Sequence, residues 1–377
     1  MAYTAPLTCN SALSGVSRFP SPRPKPGAIP SPGAKSCRGT RSTHYSTGST
    51  FRLDTPGFSN LRYSRCRTCA SQGQPTVSDA SGLQQNGIPK GEVWELDFCS
   101  RPLVDDKGKK VWELLICNPE RTFEYTEYFP NNRVNSAELK RAISRVLEVE
   151  GAERPRKVRY FRGQMQTIIS RALNDLDVKI VPSRRCFTLI SWLEERLATV
   201  YSKDSRYSAD SQPGFTLDLG SPADLPDALR GEKWAFVEFP LGALMEEAKA
   251  VENGDAFGSC FSLESVGCSD LSPETLIPGV AVFSRRAAPL AAWTNSLELA
   301  SITADKDRAC LILETGVSNR WRYASYLRSP ESTAECEAWE AAKQSRRGLH
   351  FLAVQSDPEA EQCDGFWMLQ EREPPKI

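Results

Sequence analysis

Apolar and polar residues alternate along residues 93–98, Val-Trp-Glu-Leu-Asp-Phe, and again along 122–129, Thr-Phe-Glu-Tyr-Thr-Glu-Tyr-Phe. A period of two sends successive side chains to opposite faces, so both stretches predict half-buried strands. Between them Asp105-Asp-Lys-Gly108 turns the chain into a third strand over 110–117, closed by Asn118-Pro119, which makes a three-stranded antiparallel meander. The period then changes. Asn135 with Glu138 three residues on is placed to cap a helix in the manner of a capping box, and Leu139, Ile143, Val146 and Leu147 share one helical face before Gly151 stops it. A strand over 157–161 follows, then a helix with the stripe Met165, Ile168, Ile169, Ala172, Leu173 and Leu176, a short strand over 179–181 and a helix over 184–200.

The resulting order, β-β-β-α-β-α-β-α, is that of ribonuclease-H-like domains. Right-handed crossovers would set the fourth and fifth strands beside the first, so this reading requires the first strand to be central. An α/β sandwich with another strand order is the alternative. Residues 201–228 turn Ser-, Asp-, Gly- and Pro-rich and read as a linker. Beyond it, strands over 233–239, 259–263 and 280–285, helices over 241–251 and 332–343, a helical or irregular piece over 290–300, a hairpin of 310–314 with 320–327, and strands over 350–354 and 365–369 predict a second domain. The fold class expected is α/β, in two α/β domains spanning 92–200 and 229–371, with a faint β-β-β-α-β echo of the first in the second.

Composition changes how much of the chain these domains account for. Residues 1–69 are rich in Ser, Thr, Pro and Arg, hold ten Lys or Arg against one acid, Asp54, and contain no apolar run of signal-peptide type. Such a leader is expected to be an organelle transit peptide; its Met-Ala start, its length and its lack of an Arg-rich amphipathic helix favour the chloroplast. Residues 70–91 read as a disordered linker. The 377-residue chain is formally neutral, but without residues 1–69 it carries 37 basic against 46 acidic groups. A globally acidic protein does not hold nucleic acid by general attraction, so any such binding must come from a local patch. Residues 133–196, with fourteen Lys or Arg and eight acids, supply one.

Chemistry that would make an enzyme is sparse. After the leader there is a single histidine, His350, and neither a phosphate-binding nor a dinucleotide-binding glycine loop occurs. The eight cysteines beyond Cys66 and Cys69 form no close pair with metal-ligand spacing, so no cofactor or metal is expected. No apolar run approaches the roughly 18 residues of a membrane span. One enzymatic idea survives, a metal-dependent nuclease of ribonuclease-H-like type, active or degenerate. It would need converging carboxylates, with Asp97 on the first strand and Glu138 and Glu194 or Glu195 on helices as candidates. Against it, the fourth strand ends Arg-Tyr-Phe-Arg162, which puts positive charge where a ligand should be.

The basic island carries the stronger expectation. Arg156, Lys157, Arg159, Arg162, Arg184 and Arg185 are candidates for phosphate contacts, with Tyr160, Phe161, Phe187 and Trp192 as stacking faces for bases. Each residue taken singly also fits a core aromatic or a solvated arginine, and alternation sends Tyr160 and Phe161 to opposite faces. A second candidate surface is Arg320-Trp321-Arg322, which equally suits an amphipathic edge strand.

Several phrases, in order, carry a resemblance: Trp94-Glu-Leu-Asp-Phe, Ser100-Arg-Pro, Trp112-Glu-Leu-Leu, Pro130-Asn-Asn, Pro182-Ser-Arg-Arg, Trp192-Leu-Glu-Glu-Arg, Leu225-Pro-Asp-Ala-Leu-Arg-Gly, Asn319-Arg-Trp and Gly348-Leu-His-Phe-Leu-Ala-Val. Over residues 92–371 the chain resembles the nucleus-encoded RNA-binding translation factors of plant and algal chloroplasts, which have cyanobacterial relatives. The resemblance implies a stromal, non-enzymatic activator of translation. It would bind the A/U-rich single-stranded leader of a photosystem I reaction-centre mRNA and promote biogenesis of that photosystem, and in plants of photosystem II, in response to light. It also implies work within a larger ribonucleoprotein assembly, with other translation factors or the ribosome as partners. No motif of the resemblance assigns individual RNA contacts.

Overall fold

Why the first six strands lie as they do follows from which faces each must bury. The computed structural model of the protein describes residues 84–211, 219–226, 229–360 and 362–375. Residues 1–69, read as a transit peptide, lie outside these, as do 70–83 of the first expected linker. In chain order the first half holds β1 (Gln84–Asn86), β2 (Val93–Val104), β3 (Lys110–Cys117), β4 (Glu124–Phe129), α1 (Ser136–Leu147), β5 (Lys157–Tyr160), α2 (Gln166–Leu173), β6 (Lys179–Pro182) and α3 (Phe187–Thr199). They form one sheet in the order β1-β4-β3-β2-β5-β6, antiparallel through the meander and parallel from β2 to β5 and β6. The first predicted strand is therefore central, as the ribonuclease-H-like order requires. The short β1, inside the expected linker, adds an antiparallel edge to β4.

Alternation in β2 divides its side chains between two layers. Trp94, Leu96 and Phe98 enter a core with Leu139, Ile143 and Val146 of α1 and Ile169 and Leu173 of α2. Leu103, Leu115 and Phe161 face the opposite way, against Leu189, Ile190 and Leu193 of α3. On that second face the polar members of the alternation are buried too. Asp97, Arg101 and Glu113 are each at most 1% exposed and satisfy one another: Arg101 Nη1 donates to Asp97 Oδ2 at 2.8 Å, and its Nε donates to Glu113 Oε2 at 2.8 Å. Arg162 Nε reaches Asp97 Oδ1 at 2.7 Å, while Arg196 and the Tyr201 hydroxyl donate to Glu113. Burial alone would raise the Asp97 carboxyl, but Arg162 and Arg101 outweigh it and hold it below the usual carboxylate range. At the start of α1, Asn135 Oδ1 accepts from the backbone of Ala137 and Glu138 at 3.0 Å, as expected of a cap, whereas the Glu138 side chain turns to Arg141 at 2.8 Å.

The second half holds β7 (Ala223–Asp224), β8 (Lys233–Pro240), α4 (Leu241–Asn253), β9 (Phe257–Ser259), β10 (Leu276–Phe283), α5 (Ala287–Asn295), β11 (Leu299–Asp305), β12 (Cys310–Thr315), β13 (Asn319–Ser325), α6 (Pro330–Ser345), β14 (Leu349–Gln355) and β15 (Gly365–Gln370). It builds a five-stranded sheet, β8-β10-β14-β15-β9, and a four-stranded sheet, β11-β12-β13-β7. Val280, Val282, Leu352 and Trp367 of the first sheet share a core with Ile302, Leu311 and Leu313 of the second and with Leu290 of α5 and Trp339 of α6. Three details depart from the sequence expectation. The piece over 290–300 is the end of a helix followed by β11, which is buried over most of its length and so lacks a period of two. The strand expected over 259–263 is only β9. Pro278, which precedes the strand expected over 280–285, lies inside β10; it pairs with Glu238 on β8, and the ladder to β14 begins one residue later at Gly279, so the missing N–H interrupts nothing on that side. Among the described residues no helix is long and apolar enough to cross a membrane.

Gly348 joins α6 to β14 with φ +77, and a Cβ there would lie 2.1 Å from the carbonyl oxygen of Glu371. Gly348→Ala is expected to cost more than about 2 kcal/mol, since left-handed backbone alone costs an L residue about 1 kcal/mol or more. An unchanged urea midpoint would contradict this.

Candidate nucleic-acid interface

The strand β5 separates the basic island into two destinations. Val158 and Tyr160 point into the core under α1 and α2, and Lys157 and Arg159 point the other way, towards Glu298 of the second half. Arg159 Nε lies 2.6 Å from Glu298 Oε1, Lys157 Nζ lies 3.7 Å from its Oε2, and Ser183 Oγ donates to Oε1 at 3.1 Å. Burial would raise the Glu298 carboxyl, but Arg159, Arg185 and Lys157 together bring it below its ordinary value. A parallel arrangement surrounds Glu314: Arg184 donates to it, Arg320 Nε lies 3.2 Å away, and Ser301 Oγ donates at 3.2 Å. The backbone N–H of Arg184 also donates to the carbonyl of Gly316 at 3.1 Å. Three of the six expected phosphate ligands, Lys157, Arg159 and Arg184, are thus consumed in joining the two halves of the chain.

The expected stacking faces are corrected in the same way. Tyr160, Phe161, Phe187 and Trp192 are 1%, 0%, 5% and 3% exposed, so their rings are closed to bases in this conformation. Phe161 packs under α3 with the Arg162 guanidinium 4.9 Å from its ring, and Arg162 itself is held by Asp97. Phe187 belongs to the core of the second half, edge-on to Phe261 at 5.2 Å. Trp192 lies between Arg196 and Arg121. Trp321 is half-buried against Trp293 and donates from Nε1 to Thr315 Oγ1 at 3.2 Å. Arg322 is partly exposed, 3.2 Å from Asp224 of β7. Of the six cations in the first cluster only Arg156 is well exposed, 3.3 Å from an equally open Glu92. Arg154 and Lys179, at the same end of β5 and β6, are exposed as well.

The candidate nuclease carboxylates do not form a site. Asp97 is bound by Arg101 and Arg162, Glu138 by Arg141, Glu194 by Arg372 and Glu195 by Arg121. Among the described residues no three His, Cys, Asp or Glu side chains come together as metal ligands would. At the end of β5 the group that meets Asp97 is the Arg162 guanidinium and not a further carboxylate.

What the seam does form is a cleft of about 330 Å³, with Glu95 and Arg159 of the sheet, Arg185 and Phe187 at the start of α3, and Ser259 to Phe261 of the second half in its lining. Arg185 is 7% exposed and, among the described residues, no carboxylate lies within salt-bridge distance of it; its Nη1 donates to Ser259 Oγ at 2.5 Å and its guanidinium lies 5.8 Å from the centre of the Phe261 ring. Burial, reinforced by Arg159, lowers it to about 10. Glu95 accepts from the backbone N–H of Leu189 at 2.7 Å, yet burial dominates and pushes its carboxyl up to about 7. Sequence reasoning passed over Glu95, because a polar residue in an alternating strand reads as outward-facing; only the layer of α3 covers it.

Two family descriptions match the chain: "RNA-binding protein Tab2/Atab2 N terminal" over residues 93–196 and "RNA-binding protein Tab2/Atab2, C-terminal domain" over 212–370. A Zea mays protein named "Protein TAB2 homolog, chloroplastic" is 51% identical over 284 residues, 75% of this chain and 73% of that one. Its Arabidopsis thaliana namesake is 47% identical over 300 residues, 80% and 78% of the two chains. A solved simian T-cell lymphotropic virus intasome in complex with PP2A regulatory subunit B56 gamma aligns at 16% identity and a TM-score of 0.21 over 31% of this chain and 40% of that one, a likeness too slight to bear on the fold. The chain belongs to the Tab2/Atab2 family of RNA-binding proteins.

Proposed function

We propose that this protein binds A/U-rich single-stranded RNA in the leader of a photosystem reaction-centre mRNA, in the chloroplast stroma, and activates its translation without catalysing a reaction. In this reading it serves photosystem I and II biogenesis in response to light, in a ribonucleoprotein assembly with other translation factors or the ribosome. The observation that carries the proposal is the match to the RNA-binding family across both halves of the chain. The chloroplast is supported by the names of the relatives and by the acid-poor, Ser- and Arg-rich leader. Because the protein beyond its leader is acidic, its affinity must come from a local set of open cations, and Arg154, Arg156 and Lys179 are such a set.

The test is binding of the full chain to a labelled A/U-rich single strand across a salt series. Arg154→Glu, Arg156→Glu and Lys179→Glu together are expected to weaken binding and to reduce the log-log salt slope by about 2, at roughly 0.7 for each phosphate no longer neutralised. Reversing Arg159 or Arg184 instead would set like charges against one another across the seam and confuse folding with binding. An unchanged slope in the triple variant would put the RNA on another surface; a wild-type protein without a negative slope would overturn the RNA-binding reading.

A further inference from the structure

The cleft between Arg185 and Glu95 is built unlike the rest of the seam. Lys157, Arg159 and Arg184 each meet a carboxylate of the second half, whereas Arg185, more buried than Lys157 or Arg159, feels Glu298 only from beyond salt-bridge distance and donates to a single serine hydroxyl. Glu95 is 2% exposed and, among the described residues, has no cation within salt-bridge distance. A buried guanidinium and a buried carboxyl left apart are costly, and both line a space of about 330 Å³, the lower end of the range of small-ligand pockets. Arginine only donates, and an ionised carboxylate only accepts. Backbone N–H groups at the start of α3 do not exhaust the roughly four lone-pair positions of that carboxylate. A ligand that satisfies both must therefore offer an acceptor beside a donor on one edge. It should also be flat and partly apolar, to lie against the half-buried Phe261. A phosphodiester offers acceptors only, so it could satisfy Arg185 but not Glu95, whose carboxylate would repel it.

Resting on the RNA-binding reading above, we propose that this cleft is the subsite for one unstacked nucleobase of the bound strand, its edge between Arg185 and Glu95 and its face towards Phe261. Every base carries such a donor-acceptor edge, and extruded bases read on their edges while packed on aromatic rings are a general mode of single-strand recognition.

The experiment compares a uridine 12-mer with an abasic 12-mer of equal charge, using the full chain. Wild type should prefer the uridine strand, and Glu95→Gln, which keeps shape and size, should weaken that strand by about 10-fold, the worth of one base-edge interaction, while changing abasic binding less than about 2-fold. Arg185→Lys, which retains charge and loses the fork, should act in the same way. Equal weakening on both strands, or on neither, overturns the base subsite and leaves RNA binding standing; no binding of either strand by wild type overturns both. A wild-type measurement needs no variant: 4-thiouridine in the strand should photo-crosslink to Cys260 or Phe261, and crosslinks confined to other segments would contradict the proposal. Uridine monophosphate separates a strand base from a free nucleotide. The strand must bind about 100-fold tighter because of its phosphates, and equal affinities would count against the subsite.

Discussion

Glu113→Gln is expected to lower the free energy of unfolding by about 3–5 kcal/mol, the cost of removing one partner from a buried ion network. Glu113 is fully buried and accepts from Arg101, Arg196 and the Tyr201 hydroxyl. Neutralising it leaves Arg196 with no carboxylate in contact and leaves Arg101 and Arg162 to share Asp97. Desolvation makes the difference: the same substitution at Glu138, whose partner Arg141 is 64% exposed, should cost less than about 0.5 kcal/mol. Urea unfolding of both variants beside wild type checks the contrast. Equal midpoints for Glu113→Gln and wild type would mean that the network is hydrated and contributes nothing. The network also bears on function, because it places two arginines on Asp97, the residue from which a nuclease reading has to start.

How much of this was legible follows from how far apart the interacting residues lie in the chain. The meander could be read because Trp94, Leu96 and Phe98 make one wholly apolar face of 93–98 and Phe123, Tyr125 and Phe129 most of one face of 122–129, and α2 because its stripe from Met165 to Leu176 turns once every 3.6 residues. Strand β11 was hidden because burial on both sides removes alternation, and β10 was shortened because Pro278 reads as a breaker wherever the ladder is unknown. The site failed for a different reason. Arg159 and Arg184 look alike whether they await phosphates or meet Glu298 and Glu314, since those carboxylates enter from the second half of the chain. Local composition correctly marked where charge collects. It could not mark which charges the fold itself neutralises, and Arg185 stands out only after its neighbours are paired.

Glu95 gives the second large effect, and its sign is opposite to that of Asp97. Its carboxyl stands at about 7 in the folded protein against an ordinary 4.5, because burial outweighs the Leu189 N–H bond and the attraction of Arg159, with Glu120 adding to the rise. A carboxyl raised on folding binds its proton more tightly in the native state. Its contribution is fully present below pH 4.5 and is lost as the pH rises through about 7, a change of about 3 kcal/mol at 1.36 kcal/mol per unit. Glu95→Gln should abolish this window, matching wild type near pH 4.5 and exceeding it by about 3 kcal/mol at pH 8. Asp97, held low by Arg162 and Arg101, works in the other direction and costs stability only as acid approaches its depressed range. Urea midpoints of the two proteins that run parallel from pH 4.5 to 8 would show Glu95 to be solvated. Divergence above pH 5 would show instead that above neutrality the fold tolerates a buried, unpaired carboxylate at the mouth of α3, a cost that a hydrogen-bond donor entering the cleft would relieve.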